Sequence, residues 1–203
     1  MNHARLGNHE YLELALNQPS MAPERVLLPH EQTSVDAVYN KRVEEFDKII
    51  EEKVSVSGGD DWHDGAFRAT DNAAKIVTEG MATISPYLHA PVVEYPDESE
   101  TRVTLGSRAA IHQNGYAFPV DVIGFRSAYP DNVIDPESNE EVTGTTPDSP
   151  LGKAILGQEV GAEVSYRNGE RTFTARIERI NQSSVREYFL QASSVELAIT
   201  DTD

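Results

Sequence analysis

Two carboxylates, Asp61 and Asp64, stand three residues apart in the stretch Ser57-Gly58-Gly59-Asp60-Asp61-Trp62-His63-Asp64-Gly65-Ala66-Phe67. Acids at that spacing can do two kinds of work. At the start of a helix, an Asp at the N-cap and an acid in the first turn accept hydrogen bonds from free backbone N–H groups and face the positive end of the helix dipole. The same pair could supply hard oxygen ligands to Mg²⁺, and because two carboxylates alone hold that ion poorly, a partner would have to complete its shell. Trp62, the single tryptophan of the chain, falls between them at a turn expected to be exposed. Its ring costs free energy in water unless the turn is inserted into something. His63 has a side chain suited to proton transfer, although a solvated ring is the simpler reading.

The flanking residues must position this stretch. Gly58-Gly59 can take the positive φ that ends a helix. Before it, Val35, Tyr39, Val43, Phe46, Ile50 and Val54 recur in steps of three and four; after it, Ala66, Thr70, Ala73, Val77, Met81, Ile84 and Leu88 do the same. Each stripe is too narrow for an ordinary core, but two such stripes facing each other make an antiparallel coiled-coil seam. The first helix is expected from Thr33 or Ser34 to Ser55, and the second from Trp62 to Ser85, where Pro86 stops it. Two helices of about 24 residues would carry the acidic tip, residues 58–65, on the order of 35 Å from their base.

Composition narrows the class. A hydrophobic fraction of 38% over 203 residues is thin for one thick core and suits a coiled coil joined to a small globular unit. A net charge of −17 argues against a broad electrostatic grip on nucleic-acid phosphates and favours a protein partner with a basic surface. Basic residues of the hairpin such as Lys41, Arg42 and Lys48 are interleaved with acids and read as a solvated face. The absence of cysteine excludes disulfides and thiolate metal sites. No apolar run approaches the ~18 residues of a membrane span. Glu10 and Glu13 interrupt the apolar patch near the start, so a cytoplasmic chain with no membrane contact is expected.

Taken in order, residues 1–32 read as a polar extension with a helical turn or two around Tyr11 to Leu16, residues 33–94 as the hairpin, and residues 95–101 as a turn-rich linker. Residues 102–180 change to strand periodicity. Alternating runs over 102–112 and 116–125 flank Gln113-Asn114-Gly115, and runs over 163–167 and 170–180 flank Asn168-Gly169, so two hairpins and an antiparallel sheet are expected. Residues 127–148 show little periodicity and read as a long irregular loop. Ser149-Pro150 opens a short helix that Gly157 closes. Residues 181–203 form a C-terminal extension that could be a helix using Val185, Phe189 and Ala192 or an edge strand. The whole is α+β.

Several of these residues resemble one family. Val103-Thr104-Leu105-Gly106-Ser107, Val122-Ile123-Gly124, the run Ser149-Pro150-Leu151-Gly152-Lys153-Ala154-Ile155-Leu156-Gly157-Gln158-Glu159-Val160-Gly161 and Asn168-Gly169 closely resemble the C-terminal domain of the bacterial Gre transcript-cleavage factors. The hairpin resembles that family in layout, and together the two parts cover roughly residues 21 to 180. The resemblance implies an FKBP-like C-terminal domain and RNA polymerase as partner. The domain would dock at the rim of the polymerase's secondary channel and the coiled coil would reach toward the active site. Asp61 and Asp64 would then help hold a weakly bound Mg²⁺, shared with the polymerase and not held by the isolated chain, and its attacking water. The polymerase would hydrolyse the 3′ end of a backtracked RNA, which the factor meets only indirectly. Trp62, His63, Ser149, Pro150, Leu151, Gly152 and Lys153 would contact the partner. A well-capped helix packed on a sheet explains residues 149–153 equally well. By this resemblance the chain is a monomeric cofactor of catalysis and not itself an enzyme. It departs from the family at the tip, with Asp64 where a Glu is usual, Gly65 in place of Asn, and Trp62 and His63 in place of an aliphatic and a polar residue. The alternative is a regulator that occupies the channel without stimulating cleavage.

Overall fold

The computed structural model describes residues 4–57 and 65–190. Helices α2 (Pro29–Ser57) and α3 (Gly65–Ile84) form an antiparallel pair. Lys53 ion-pairs with Asp71, Arg42 lies beside Gly80, and Val35 shares a buried cluster with Ile84, contacts that run in opposite directions along the two helices. At 1.5 Å per residue, α2 alone extends roughly 43 Å. The expected stripe is real but uneven: Val35 is buried, Tyr39, Val43 and Phe46 are half-buried, and Val54 is 67% exposed. The arm therefore has a firm root and a thin outer half.

The start of α2 lies upstream of the expected Thr33 or Ser34. Pro29 takes the first helical position, where its missing N–H costs nothing. Glu31, two residues on, turns its carboxylate back to accept the N–H of Leu28 at 2.7 Å, the acidic half of a capping box with no Ser or Thr opposite. The same carboxylate accepts the N–H groups of Gly124 and Phe125 at 2.9 to 3.1 Å. Around this junction Leu27, Val35, Ile84, Leu88, Val92 and Phe125 form a small core of their own, with Tyr87 tilted on Phe125 at 4.5 Å between ring centroids.

Among the described residues the main sheet has five strands in the order β5-β4-β3-β7-β6. They are β3 (Arg108–Gln113), β4 (Tyr116–Val122), β5 (Thr143–Thr145), β6 (Glu163–Asn168) and β7 (Arg171–Asn181). Asn114 and Gly115 both take positive φ, 55° and 79°, and close the β3–β4 hairpin as a two-residue turn of type I′ demands. In the second hairpin Asn168 pairs with Arg171, so the turn residues are Gly169 and Glu170, one step later than the Asn-Gly signal suggests. The sheet is mixed, not purely antiparallel. β5 lies within residues 127–148, expected as irregular, and runs parallel to β4.

The N-terminal segment is more than an extension. β1 (Arg5–Leu6) pairs in parallel with β2 (Val92–Val93), and α1 (Asn8–Asn17) buries Tyr11 and Leu12 in the main core. The buried Asn8 amide donates to the carbonyls of Glu94 at 2.9 Å and Leu105 at 2.7 Å, and its oxygen accepts from the Thr104 hydroxyl. At the other end, residues 184–190 are helical, which resolves the helix-or-strand choice over that span. Asn181 caps the turn by accepting the N–H groups of Ser183 and Ser184. Val185 is buried, and Phe189 stacks on His30 at 3.6 Å between centroids. Ala192 lies outside the described residues. Burial pushes the His30 imidazole down to about 3, so it stays neutral at physiological pH.

Glu31 couples the junction to pH. Burial raises its pKa from 4.5 to about 7, against the three backbone N–H groups, which favour the carboxylate. Between about pH 4.5 and 7 the folded state keeps a proton that the unfolded state has released, so stability falls as pH rises through that window and levels off above it. The integrated loss is on the order of 3 kcal/mol. Denaturant titrations of the native chain and Glu31→Gln across this range should show the loss in the native chain and a flatter profile in the variant; parallel profiles would contradict the assignment.

Candidate functional site

α4 (Pro150–Ile155) packs against β6 and carries most of the residues expected to meet a partner. Ser149 is its N-cap: the backbone is extended, and Oγ accepts the Gly152 N–H at 3.0 Å while lying 2.7 Å from the Thr145 hydroxyl at the end of β5. Pro150 fills the first helical position. Gly152 is buried, and a Cβ there would fall 2.0 Å from the Thr146 carbonyl oxygen, so only hydrogen fits. Leu151 is half-buried against the main core, whereas Pro150 and Lys153 are exposed. Three of the five residues are thus engaged in holding the helix, and two are presented outward.

The approach to α4 is fixed by a buried ionic network that the strand pattern hides. Arg108 in β3 stands directly opposite Asp121 in β4. It donates to both oxygens of that carboxylate, at 2.7 and 2.9 Å, and to Asp135 at 3.1 Å. Tyr129 donates to Asp121 at 2.8 Å, and Arg179 reaches Asp135 at 2.9 Å. Burial works against the guanidinium, but Asp121 outweighs it and holds Arg108 more firmly protonated than usual; burial and the Asp121 charge both raise Tyr129. A signal for this pair exists in the sequence. Once Asn114-Gly115 is taken as a two-residue turn, counting outward brings 108 opposite 121. The network anchors residues 127–148, which are ordered between Tyr129, Val133 and Val142, all buried.

Asp61, Trp62, His63 and Asp64 lie outside the described residues, between the end of α2 and the start of α3. Among the described residues no group of three or more His, Asp or Glu side chains is arranged to hold a metal ion, and no helix is long and apolar enough to cross a membrane. The structure brings Ser149, Pro150, Leu151, Gly152 and Lys153 together at the start of α4.

No protein-family model and no curated protein matches the chain. Solved structures do. GreA factor homolog 1 (Gfh1) of Thermus thermophilus is 19% identical, covers 78% of this chain and 99% of its own, and superposes with a TM-score of 0.35. Gfh1 of Thermus aquaticus gives 19%, 79% and 99%, and 0.34. A GreA/GreB elongation factor from Nitrosomonas europaea is 22% identical over 52% of this chain and 78% of its own, with a TM-score of 0.29. These neighbours are Gre factors and Gre-factor homologues.

The local geometry of α4 makes a ranked prediction. Ser149→Ala removes one cap and should cost about 1 kcal/mol, whereas Gly152→Ala must displace the Thr146 carbonyl and should cost more. Thermal denaturation of the two variants tests the order; a Gly152→Ala variant as stable as the native chain would contradict the packing described.

Proposed function

We propose that the chain is a Gre-like transcription elongation factor that binds RNA polymerase through its secondary channel. In this reading the α2–α3 pair is a coiled-coil hairpin and the sheet unit with α4 is an FKBP-like docking domain. The observation that carries it is the arm itself: two antiparallel helices rooted through Glu31 in the sheet unit, joined in the sequence by residues 58–64, which include Asp61 and Asp64. A thin, mostly solvated helix pair of that length has little reason to exist as packing. It serves to deliver its tip.

At the tip, Asp61 and Asp64 are the hard-oxygen donors that fit Mg²⁺, too few to hold it without the polymerase's own ligands. The ion would supply charge stabilisation and an activated water to phosphodiester hydrolysis. The chain's own part is to place the two carboxylates, and Pro150 and Lys153 stand outward on the domain expected to dock. The factor stimulates the polymerase's cleavage of backtracked RNA and is no enzyme alone. It acts as a monomer on the nascent RNA 3′ end only through the polymerase.

A second reading has its own support. Asp64 is one methylene shorter than Glu, and a misplacement of about 1 Å can cost on the order of a hundredfold in rate, so a tip of this composition suits a regulator that occupies the channel without cleavage. Stalled, backtracked elongation complexes separate the two. The first reading expects 3′ shortening of the transcript with the native chain and none with Asp61→Ala/Asp64→Ala at fixed Mg²⁺. No shortening by either, with slowed nucleotide addition by both, would establish the second and return the acids to helix capping.

A further inference from the structure

A cleft of about 590 Å³ opens beside α4, between the N-terminal segment and the residues leading into the helix. Tyr11, Leu16 and Pro23 line one side; Pro147, Asp148 and Lys153 line the other. A narrow recess sharing Tyr11 and Asp148 continues inward to Tyr87 at the root of the arm. The N-terminal wall is firmly seated. Leu12 is fully buried in the main core, and Leu16 lies so close to Gly157 that a Cβ there would be 2.5 Å from its Cδ1.

The chemistry of the cleft is specific. Tyr11 is 3% exposed as a residue, and its hydroxyl, which makes no hydrogen bond among the described residues, opens to the cleft and the recess. Burial, and then the Asp148 charge, push that hydroxyl up to about 12; Tyr11 and Asp148 line both the cleft and the recess. Asp148 accepts from the Thr146 hydroxyl and pairs with no cation among the described residues. Glu24, the other acid of the lining, is already paired with Arg25 at 3.0 Å. A phenol oxygen that opens to the cleft without a protein partner, next to a carboxylate with no cation and flanked by apolar walls, asks for a cationic donor on a long apolar stem. A guanidinium suits it better than an ammonium: it is planar, less strongly hydrated, and can serve a carboxylate with two N–H groups while a third reaches a phenol oxygen. Anions are disfavoured by the same acids. Lys153 adds a constraint, since the entering segment must turn a carbonyl or an acid toward it.

We propose that this cleft receives an arginine side chain of the polymerase, its stem against Leu16, Pro23 and Pro147 and its guanidinium on Asp148 and the Tyr11 hydroxyl. The proposal rests on the docking reading above and extends it, because it makes the N-terminal segment part of the docking surface. Partner recognition then reads a surface shared between α1, the Pro19–Pro23 turn and the entry to α4.

Binding of core RNA polymerase to the immobilised chain tests this with three variants. Tyr11→Phe deletes only the hydroxyl and should weaken binding about 3- to 10-fold; Asp148→Asn should weaken it more than about 10-fold and reduce its salt dependence. Pro150→Glu alters the exposed start of α4 outside the cleft and reports on docking as such. If Pro150→Glu weakens binding while Tyr11→Phe and Asp148→Asn bind like the native chain, the docking reading stands and the arginine site is overturned. If the native chain does not bind polymerase, the docking reading fails, and the site is decided by a second measurement. Ring signals of Tyr11 in tyrosine-labelled protein should shift with millimolar acetyl-Leu-Arg-Leu-amide and not with its citrulline analogue; no shift, or equal shifts, would overturn it.

Discussion

The Glu31 carboxylate takes backbone N–H groups from Leu28, Gly124 and Phe125 at the point where the arm meets the sheet unit. One side chain thus starts α2 and fastens that start to the turn after β4. The approach is so close that a Cβ on Gly124 would lie 2.2 Å from the Val26 carbonyl oxygen and 2.7 Å from Glu31 itself. Burying a carboxylate costs several kcal/mol unless donors surround it, and here three backbone donors do. The cost is retained because the contact sets a direction. A long arm with a weak seam in its outer half is only as well aimed as its root, and the root is this carboxylate together with the small core of Val35, Ile84 and Phe125.

The sheet unit is organised by a second internal charge system at the same end of β4, built on Asp121. Arg108, Asp121 and Asp135 form a buried network that turns a long, nearly aperiodic connection into ordered structure. That connection supplies β5 and leads directly into the Ser149 cap. The outward placement of Pro150 and Lys153 is therefore traceable to an arginine two strands away. The N-terminal segment closes the remaining side, with Asn8 holding two carbonyls and Leu12 filling the core.

Much of this was legible from residue types and spacing. The two helices, the hairpin turn at Asn114-Gly115, the Ser149 cap and the short helix ended near Gly157 follow from short-range rules that tertiary structure did not override. What escaped shares a different cause. Pro29 and Glu31 start α2 without the Ser or Thr that helix-start rules seek, because the cap is supplied by a carboxylate whose other partners lie about ninety residues on in the chain. β5 has three residues and owes its existence to Arg108 and the loop anchors, not to periodicity. α1 reads as peripheral because only Tyr11, Leu12 and Ala15 mark its apolar buried face, and no local signal says that a ten-residue amphipathic helix is part of the main core. Asp61 and Asp64, marked by their spacing and by the family resemblance, lie outside the described residues.

Hydrogen exchange at the backbone amides of Gly124 and Phe125 tests the account most directly. If the Glu31 carboxylate roots the arm, both amides should exchange as slowly as those in the centre of β3, opening only with global unfolding. Fast exchange at both, with β3 still protected, would mean that the arm leaves its root in the folded state and that its direction is set by something other than Glu31.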